Sequence, residues 1–588
     1  MKKIAAITVC FFILASSGAQ YYLRGEIKDE SNNSLANVKI LIHSSGYIYY
    51  SGGAGGFGIP IPRLYDSITL MADGYQTFSA KLDASKYQYI TLKMLYPPPL
   101  PPRNSLLSFT KNLRPGDWKG WTVGAETYSS LVENEFVPAS KFPQTGFAIN
   151  IDKASYSNTR RFLNMGSTVP PDAVRIEELL NYFNFDYLAP PPDSNFSFNS
   201  WLTECPWNSD NLLLYLHVCA KKADLEKIPP ANLVFLIDIS GSMDLPNRLP
   251  LLKSAFGLLV KNLREKDTVS IVVYGSTVGV WMPPTPGNEK KKILDAIEEL
   301  NPGGPTPGEA GIRAAYRLAK SQFIKGGNNR VIMATDGDFN VGQNTEDELE
   351  RLIAMHKQWG IYLTCLGVGM GNYKDSKLEV LAKRGNGNFA YLDNEKEAEK
   401  VLMKEFTQTI YAVADDAYLD INFNPAIVRD YRLIGFDNKL KALSDSVNEI
   451  QGGEVGSGHS LLTLFEITPT DPNLDNLLPG KKGFAKVTLH YKLPMDSVKR
   501  LSYYDCPLDF TPFSELPPSY RFASSAVMFG DLMKESTYMR QVGWDDAIEL
   551  ATQSYDPKDE AQKEFVSLIE QAKKIYAKKG KKRKKPKE

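Results

Sequence analysis

The chain has 588 residues, a mass of 65.6 kDa and a formal net charge of zero. At about 150 residues per domain, that length predicts about four domains. A composition of 43% hydrophobic and 23% charged residues excludes a wholly disordered or collagen-like chain.

The N-terminus reads Met1-Lys2-Lys3, an apolar run from Ile4 to Ala15, and then Ser16-Ser17-Gly18-Ala19. A basic start, a short apolar core and small residues predict a signal peptide over 1–19, cleaved after Ala19. The alternative, a membrane anchor, would need about 20 apolar residues. Export to the periplasm, cell envelope or exterior is therefore expected. Lipid anchoring is not, because Cys10 lies in mid-run and no cysteine stands just after the run.

Residues 20–96 hold short β-type runs: Tyr22 to Ile27, Val38 to Ile42, and Ile68 to Leu70. Asn, Gly and Pro punctuate them, as in a small all-β sandwich. The order Gly25, Asp29, Leu35-Ala36-Asn37-Val38, then Gly55-Gly56-Phe57-Gly58-Ile59, then Asp73-Gly74-Tyr75 resembles the carboxypeptidase-regulatory-like β-sandwich. Pro97-Pro98-Pro99-Leu100-Pro101-Pro102 opens a stiff linker over 97–114.

Residues 115–230 have a mixed pattern, with a strand expected from Phe147 to Asp152 and a helix face from Ile176 to Phe183. From 231 to 411 strands and helices alternate. Leu233–Ile237, Val269–Val273, Val331–Ala334 and Tyr362–Leu366 are continuous apolar runs, as in strands covered on both faces. Between them, Leu252, Phe256, Leu259 and Leu263 form one helical stripe, and Ile293, Leu294, Ile297 and Leu300 another. The pattern predicts an α/β doubly wound sheet, whose ligands bind at the carboxyl ends of its strands. Residues 412–578 read as strands followed by helices near 521–534 and 558–577.

The last sixteen residues carry +9 and the first nineteen +2, so the body between them carries −11. An acidic body argues against a nucleic-acid-binding fold. The basic tail, 579–588, is either a solvated helix end or a contact to lipid headgroups or polyanions. Cys205, Cys219, Cys365 and Cys506 include no CxxC pair, so a zinc site of that kind is unsupported. Cys365 reads as a buried small hydrophobe, and pairing among the other three is left open.

One constellation carries chemistry. Asp238-Ile239-Ser240-Gly241-Ser242 follows the first α/β strand, Thr306 lies in a Gly-Pro loop, and Asp336 follows the strand Val331–Ala334. Three strand-end loops thus offer five hard oxygen donors and no His or Cys, which suits a hard divalent cation. Two carboxylates with three hydroxyls fit Mg²⁺ best, with Mn²⁺ or Ca²⁺ as alternatives. A bland reading, in which Asp238 and Ser240 merely cap the next turn, leaves Thr306 and Asp336 unexplained.

This pattern resembles the metal-ion-dependent adhesion site (MIDAS) of the von Willebrand factor A domain, Asp-x-Ser-x-Ser with a distant Thr and a distant Asp. The resemblance implies that the three hydroxyls touch the metal and that the Asp side chains bind it directly or through water. Phe147–Asp152 with Val174-Arg175-Ile176-Glu177-Glu178, and Arg432-Leu433-Ile434-Gly435-Phe436 with Gly453–His459, resemble the N- and C-terminal companion domains of YfbK-like von Willebrand factor A proteins. The match covers roughly 110–578 and leaves Glu454 without a role.

GxSxG, HExxH and GxxxxGK[ST] do not occur. None of the five His, His459 included, has a partner acid at motif spacing. The expectation is a binding protein and not an enzyme: an exported adhesion or scaffolding protein that docks an acidic group of a protein partner through the cation. The alternative is the substrate-recognition subunit of an envelope enzyme or chaperone complex. A flanking domain could also cap the metal in cis.

Overall fold

The computed structural model describes residues 21–93, 126, 128, 133–149 and 152–583, with gaps at 31, 73–74, 225, 276, 305, 338–345, 371–372, 437–451, 474–482, 495 and 540. The expected signal segment, the proline linker, Asn150, Ile151, Pro305 and the last five tail residues lie outside this set. The chain divides into two compact units, Met1–Pro102 and Arg103–Glu588.

Among the described residues, the first unit has seven strands: β1 (Tyr21–Asp29), β2 (Lys39–Ile42), β3 (Ile48–Tyr50), β4 (Gly56–Ile61), β5 (Tyr65–Met71), β6 (Phe78–Asp83) and β7 (Tyr87–Leu92). They form two sheets, ordered β4-β1-β7 and β3-β2-β5-β6. Alternate residues point inward, so Leu23, Ile27, Ile40, Ile42, Ile59, Ile68 and Leu70 share one core. The small all-β sandwich is as expected. Gly55, at φ +75°, is required at the turn into β4: a Cβ there would lie 2.5 Å from the Ile27 carbonyl oxygen.

The second unit begins with β8 (Val137–Pro138) and β9 (Gln144–Ala148), then helices α1 (Ala154–Asn164) and α2 (Ile176–Leu180), and strands β10 (Phe196–Glu204) and β11 (Leu212–Ala220). The α/β region follows with β12 (Ala231–Ile239), β13 (Thr268–Gly275), β14 (Val278–Pro286), β15 (Asn328–Thr335), β16 (Ile361–Gly367) and β17 (Phe389–Tyr391). The sheet order is β14-β13-β12-β15-β16-β17. All neighbours are parallel except β14, which runs antiparallel at the edge. Pro283, Pro284 and Pro286 hide that strand from pattern reading, and an edge position tolerates them.

All nine residues of β12 are buried. One face packs under α3 (Leu249–Lys261) and α4 (Lys290–Glu298) through Phe235, Phe256 and Ile293. The other packs under α5 (Gly308–Ser321), α6 (Glu346–Gln358) and α7 (Asp375–Arg384) through Val234, Ile312, Ile353 and Leu378. Because β13 lies on one side of β12 and β15 on the other, the strand order reverses at β12. The crevice at its carboxyl end is the topological switch point.

The remaining strands are β18 (Ala412–Phe423), β19 (Val428–Ile434), β20 (Gly453–Gly456), β21 (Ser460–Pro469), β22 (Ala485–Lys492) and β23 (Arg500–Cys506), followed by α8 (Pro518–Lys534), α9 (Trp544–Ser554) and α10 (Glu560–Arg583). The structure revises the expectation of two separate flanking domains. One sheet is ordered β10-β11-β21-β19-β8, and in the other β9 pairs with β18. Residues 115–230 and 412–578 therefore interleave into one body, with the α/β domain inserted between β11 and β18. Neither segment alone could satisfy the backbone groups along its strand edges. The expected strand also stops at Ala148, so Asp152 lies just ahead of α1.

In β11 the period of two places Leu212, Leu214 and Leu216 between the sheets, and Leu213 and Tyr215 under the helices. All four cysteines of the second unit are free and buried.

The α/β domain is held to this body by buried charges. Arg175 Nη1 donates to Asp375 at 2.8 Å, Arg160 Nη2 to Glu397 at 2.7 Å, and Lys153 Nζ to Glu405 at 2.9 Å. Arg330 of β15, fully buried, pairs with both oxygens of Glu454 in β20. That pair gives Glu454 its role. Burial pushes the Glu454 carboxyl up to about 7 even beside the guanidinium, so the pair orients the joint more than it strengthens it. Arg330→Met is expected to cost about 3–5 kcal/mol in urea unfolding, because Glu454 is left buried without its partner. Adding Glu454→Met should recover most of that loss. A double variant as unstable as the single one would overturn this account.

Candidate metal centre

β12 delivers Asp238 to the switch point with its side chain fully buried. Its Oδ1 accepts the Ser240 amide at 2.9 Å and its Oδ2 accepts the Thr335 hydroxyl at 2.8 Å. The chain then turns through Gly241–Met243, which brings the Ser240 and Ser242 hydroxyls to 3.1 Å. Two backbone bonds tether the third loop to this turn: Gly303 N–H to the Ile239 carbonyl at 2.7 Å, and Gly241 N–H to the Gly304 carbonyl at 3.0 Å. They place half-buried Thr306 at the rim, just ahead of α5.

Gly311 lets α5 approach β13 closely, since a Cβ there would lie 2.8 Å from the Tyr274 ring. Asp336 follows β15, is 2% exposed, and stands one register step beyond Thr335. Asp238 and Asp336 thus come from the carboxyl ends of β12 and β15, whereas Thr306 lies in the loop from α4 to α5 and not at a strand end as expected; the backbone tethers bring that loop to the same edge. The edge opens to solvent past Ser242 and Thr306, where Gly241, Asp244 and Leu245 are exposed.

Two contributors escape sequence reading. Thr335, next to Asp336 and so inferable from the strand end, orients Asp238. Arg248 carries no such signal. Its Nη1 donates to Asp336 Oδ2 at 2.7 Å and to the Ser242 carbonyl at 2.5 Å, and its Nη2 to the Met370 carbonyl at 3.0 Å.

The residues fit a hard cation. Every donor is oxygen, and burial pushes the Asp238 carboxyl up to about 6, against hydrogen bonds from Ser240 and Thr335. A carboxylate so poorly solvated gains from a cation beside it. Asp238, Ser240, Ser242, Thr306 and Asp336 would hold the ion.

A second set of carboxylates, Asp152, Glu178 and Glu379, also converges, with ligand oxygens within 4.8 Å of one another. It belongs to the joint between α1, α2 and α7: Asp152 accepts the Phe389 amide, Glu178 accepts Arg175 and Ser155, and Glu379 accepts Lys383. His459 is buried, and its Nδ1 accepts the Gly456 amide at 2.9 Å. Burial lowers the imidazole to about 3, as in a structural turn.

The fold and this motif define a von Willebrand factor type A domain protein. Residues 232–405 match the von Willebrand factor type A domain model, 122–215 a model described as von Willebrand factor, and 408–575 the YfbK C-terminal model. The chain is 35% identical over 470 residues to the uncharacterized protein YfbK of Escherichia coli, covering 76% of this chain and 81% of that protein. It belongs to the YfbK family. It is also 25% identical over 315 residues to the uncharacterized protein sll0103 of Synechocystis sp., across 52% of this chain and 72% of that one. A solved structure, von Willebrand factor type A from Catenulispora acidiphila, aligns over 66% of this chain and 91% of its own, with 14% identity and a TM-score of 0.40.

The burial of Asp238 makes a prediction for the chelated protein. Burial raises the Asp238 carboxyl from its ordinary 3.8 to about 6 in the folded state. Stability is therefore lost as pH rises from about 4 to 6. Asp238→Asn, free of that charge, should be more stable than wild type at pH 7.5 in chelator, by up to about 3 kcal/mol. The gap should close near pH 4. A variant less stable than wild type at both pH values would contradict the assignment.

Proposed function

We propose that this is an exported adhesion or scaffolding protein that docks an acidic side chain of a protein partner through a divalent cation, Mg²⁺ by preference. It acts by binding and not by catalysis. The observation that carries this reading is the clustering of Asp238, Ser240, Ser242 and Asp336 at the switch point, with the Thr306 loop tethered to their turn, open on the Ser242 side. Protein interaction and adhesion are what von Willebrand factor type A domains mediate. A cation on this oxygen shell keeps coordination positions that a partner carboxylate can fill.

The companion body reaches both edges of the sheet: Arg330 is the third residue of β15, near the amino ends of the strands, whereas Asp375 and Glu397, which meet Arg175 and Arg160, follow the carboxyl ends of β16 and β17. A partner is the proposed source of the acidic group.

Thermal unfolding of residues 20–588 after chelation, with Mg²⁺, Mn²⁺ or Ca²⁺ titrated back, tests this. Wild type should be stabilised by about 2.7 kcal/mol at a hundredfold excess over Kd, and Asp238→Ala should not respond. Equal curves for the two proteins would overturn the proposal.

A further inference from the structure

Arg248 is unusual for a cation site: it brings a permanent positive charge to one of the carboxylates meant to hold the ion. It is 7% exposed and cannot swing into water at no cost. Its guanidinium joins the loops after β12 and β15, at Ser242 and Asp336, to the loop after β16, at Met370. The chain also makes room for it. Gly369 sits at φ +83°, and a Cβ there would lie 2.7 Å from Arg248 Nε. A side chain at 369 would be both strained and in the way.

We infer that Arg248 sets the charge of the loaded site: it weakens the hold on the bare cation and leaves the cation with unneutralised charge for an anionic partner group. The inference rests on the metal-docking reading above. With Asp238 and Asp336 ionised, the guanidinium bonded to Asp336 brings this set of groups to a single negative charge. A divalent cation then leaves one positive charge over. Without Arg248 the two carboxylates would neutralise the ion, and a partner carboxylate would gain little from it. In this low-dielectric edge a unit charge a few ångströms away is worth severalfold to tens of fold in affinity. Arg248 is thus a positioning residue with an electrostatic consequence, selecting carboxylate ligands at the expense of resting metal affinity. Metal and carboxylate should then bind cooperatively, each raising the affinity for the other by the same factor.

The test is isothermal titration of chelated full-length protein with Mn²⁺, in chloride and then in acetate buffer. Wild type should bind Mn²⁺ more tightly in acetate than in chloride. Arg248→Gln should bind Mn²⁺ at least about tenfold more tightly in chloride and lose the acetate enhancement, while Arg248→Lys should behave as wild type. Gly369→Ala, which pushes the guanidinium off Asp336 without removing it, should shift both readouts in the same direction as Arg248→Gln. It serves if that variant folds poorly. A role confined to bracing the loops would instead weaken Mn²⁺ binding in Arg248→Gln, and unchanged or weaker binding there overturns the inference alone. Failure of wild type to bind Mn²⁺ at all would overturn the docking proposal and this inference with it.

Discussion

The pairing of β11 with β21 is the constraint on which the second unit depends. β11 ends eleven residues before the α/β domain and β21 begins well after it, yet they run side by side from Leu212↔Ile467 to Cys219↔Ser460. Both strands are buried on both faces, so their backbone groups have no recourse to water and must find each other. That pairing brings the two arms of the chain together on either side of the insertion. The α/β domain is consequently held at both ends, and the charges along its flank are buried in a joint instead of exposed in a linker. Arg160, Arg175 and Arg330 each meet carboxylates there. Such pairs add little net stability but penalise any other arrangement, because a displaced partner leaves a charge in an apolar interior.

The candidate site at the carboxyl edge is built by the same rule. β12 and β15 are parallel neighbours in register, so Asp238 and Thr335 emerge side by side and Asp336 one step on. The tether from Gly303 and Gly304 adds the Thr306 loop. Burial makes the Asp238 carboxylate costly, and Arg248 offsets the charge of Asp336. The centre is poised between needing a cation and repelling it. That balance suits a docking point, where the ion should respond to the partner, better than a permanent structural ion.

Much of this was legible in the residues. The continuous apolar strands of the α/β domain, the stripe at Leu252, Phe256 and Leu259, and the alternation of β1, β2 and β5 are local patterns, and local patterns survive in a sequence. Asp238, Ser240, Ser242 and Asp336 were legible because strand ends in a doubly wound sheet are predictable positions, whereas Thr306, between α4 and α5, was legible only through the resemblance. Arg248 was not, since nothing in Asn247-Arg248-Leu249 says that a guanidinium will fold back onto a residue 88 positions later. β14 was hidden by its prolines.

The class of each segment follows from its own residues: an all-β module, a parallel α/β domain carrying a hard-oxygen motif, and flanking strands and helices. Those are consequences of side-chain periodicity and of residue chemistry at predictable turns. Long-range folding adds that the strands on either side of the α/β domain form one body, that Glu454 is the partner of Arg330, and that Arg248 shares the metal edge. Each of these joins groups tens to hundreds of residues apart. Pairing of strand edges and burial of charge select partners by what remains unsatisfied once the chain is compact, and no local pattern records that.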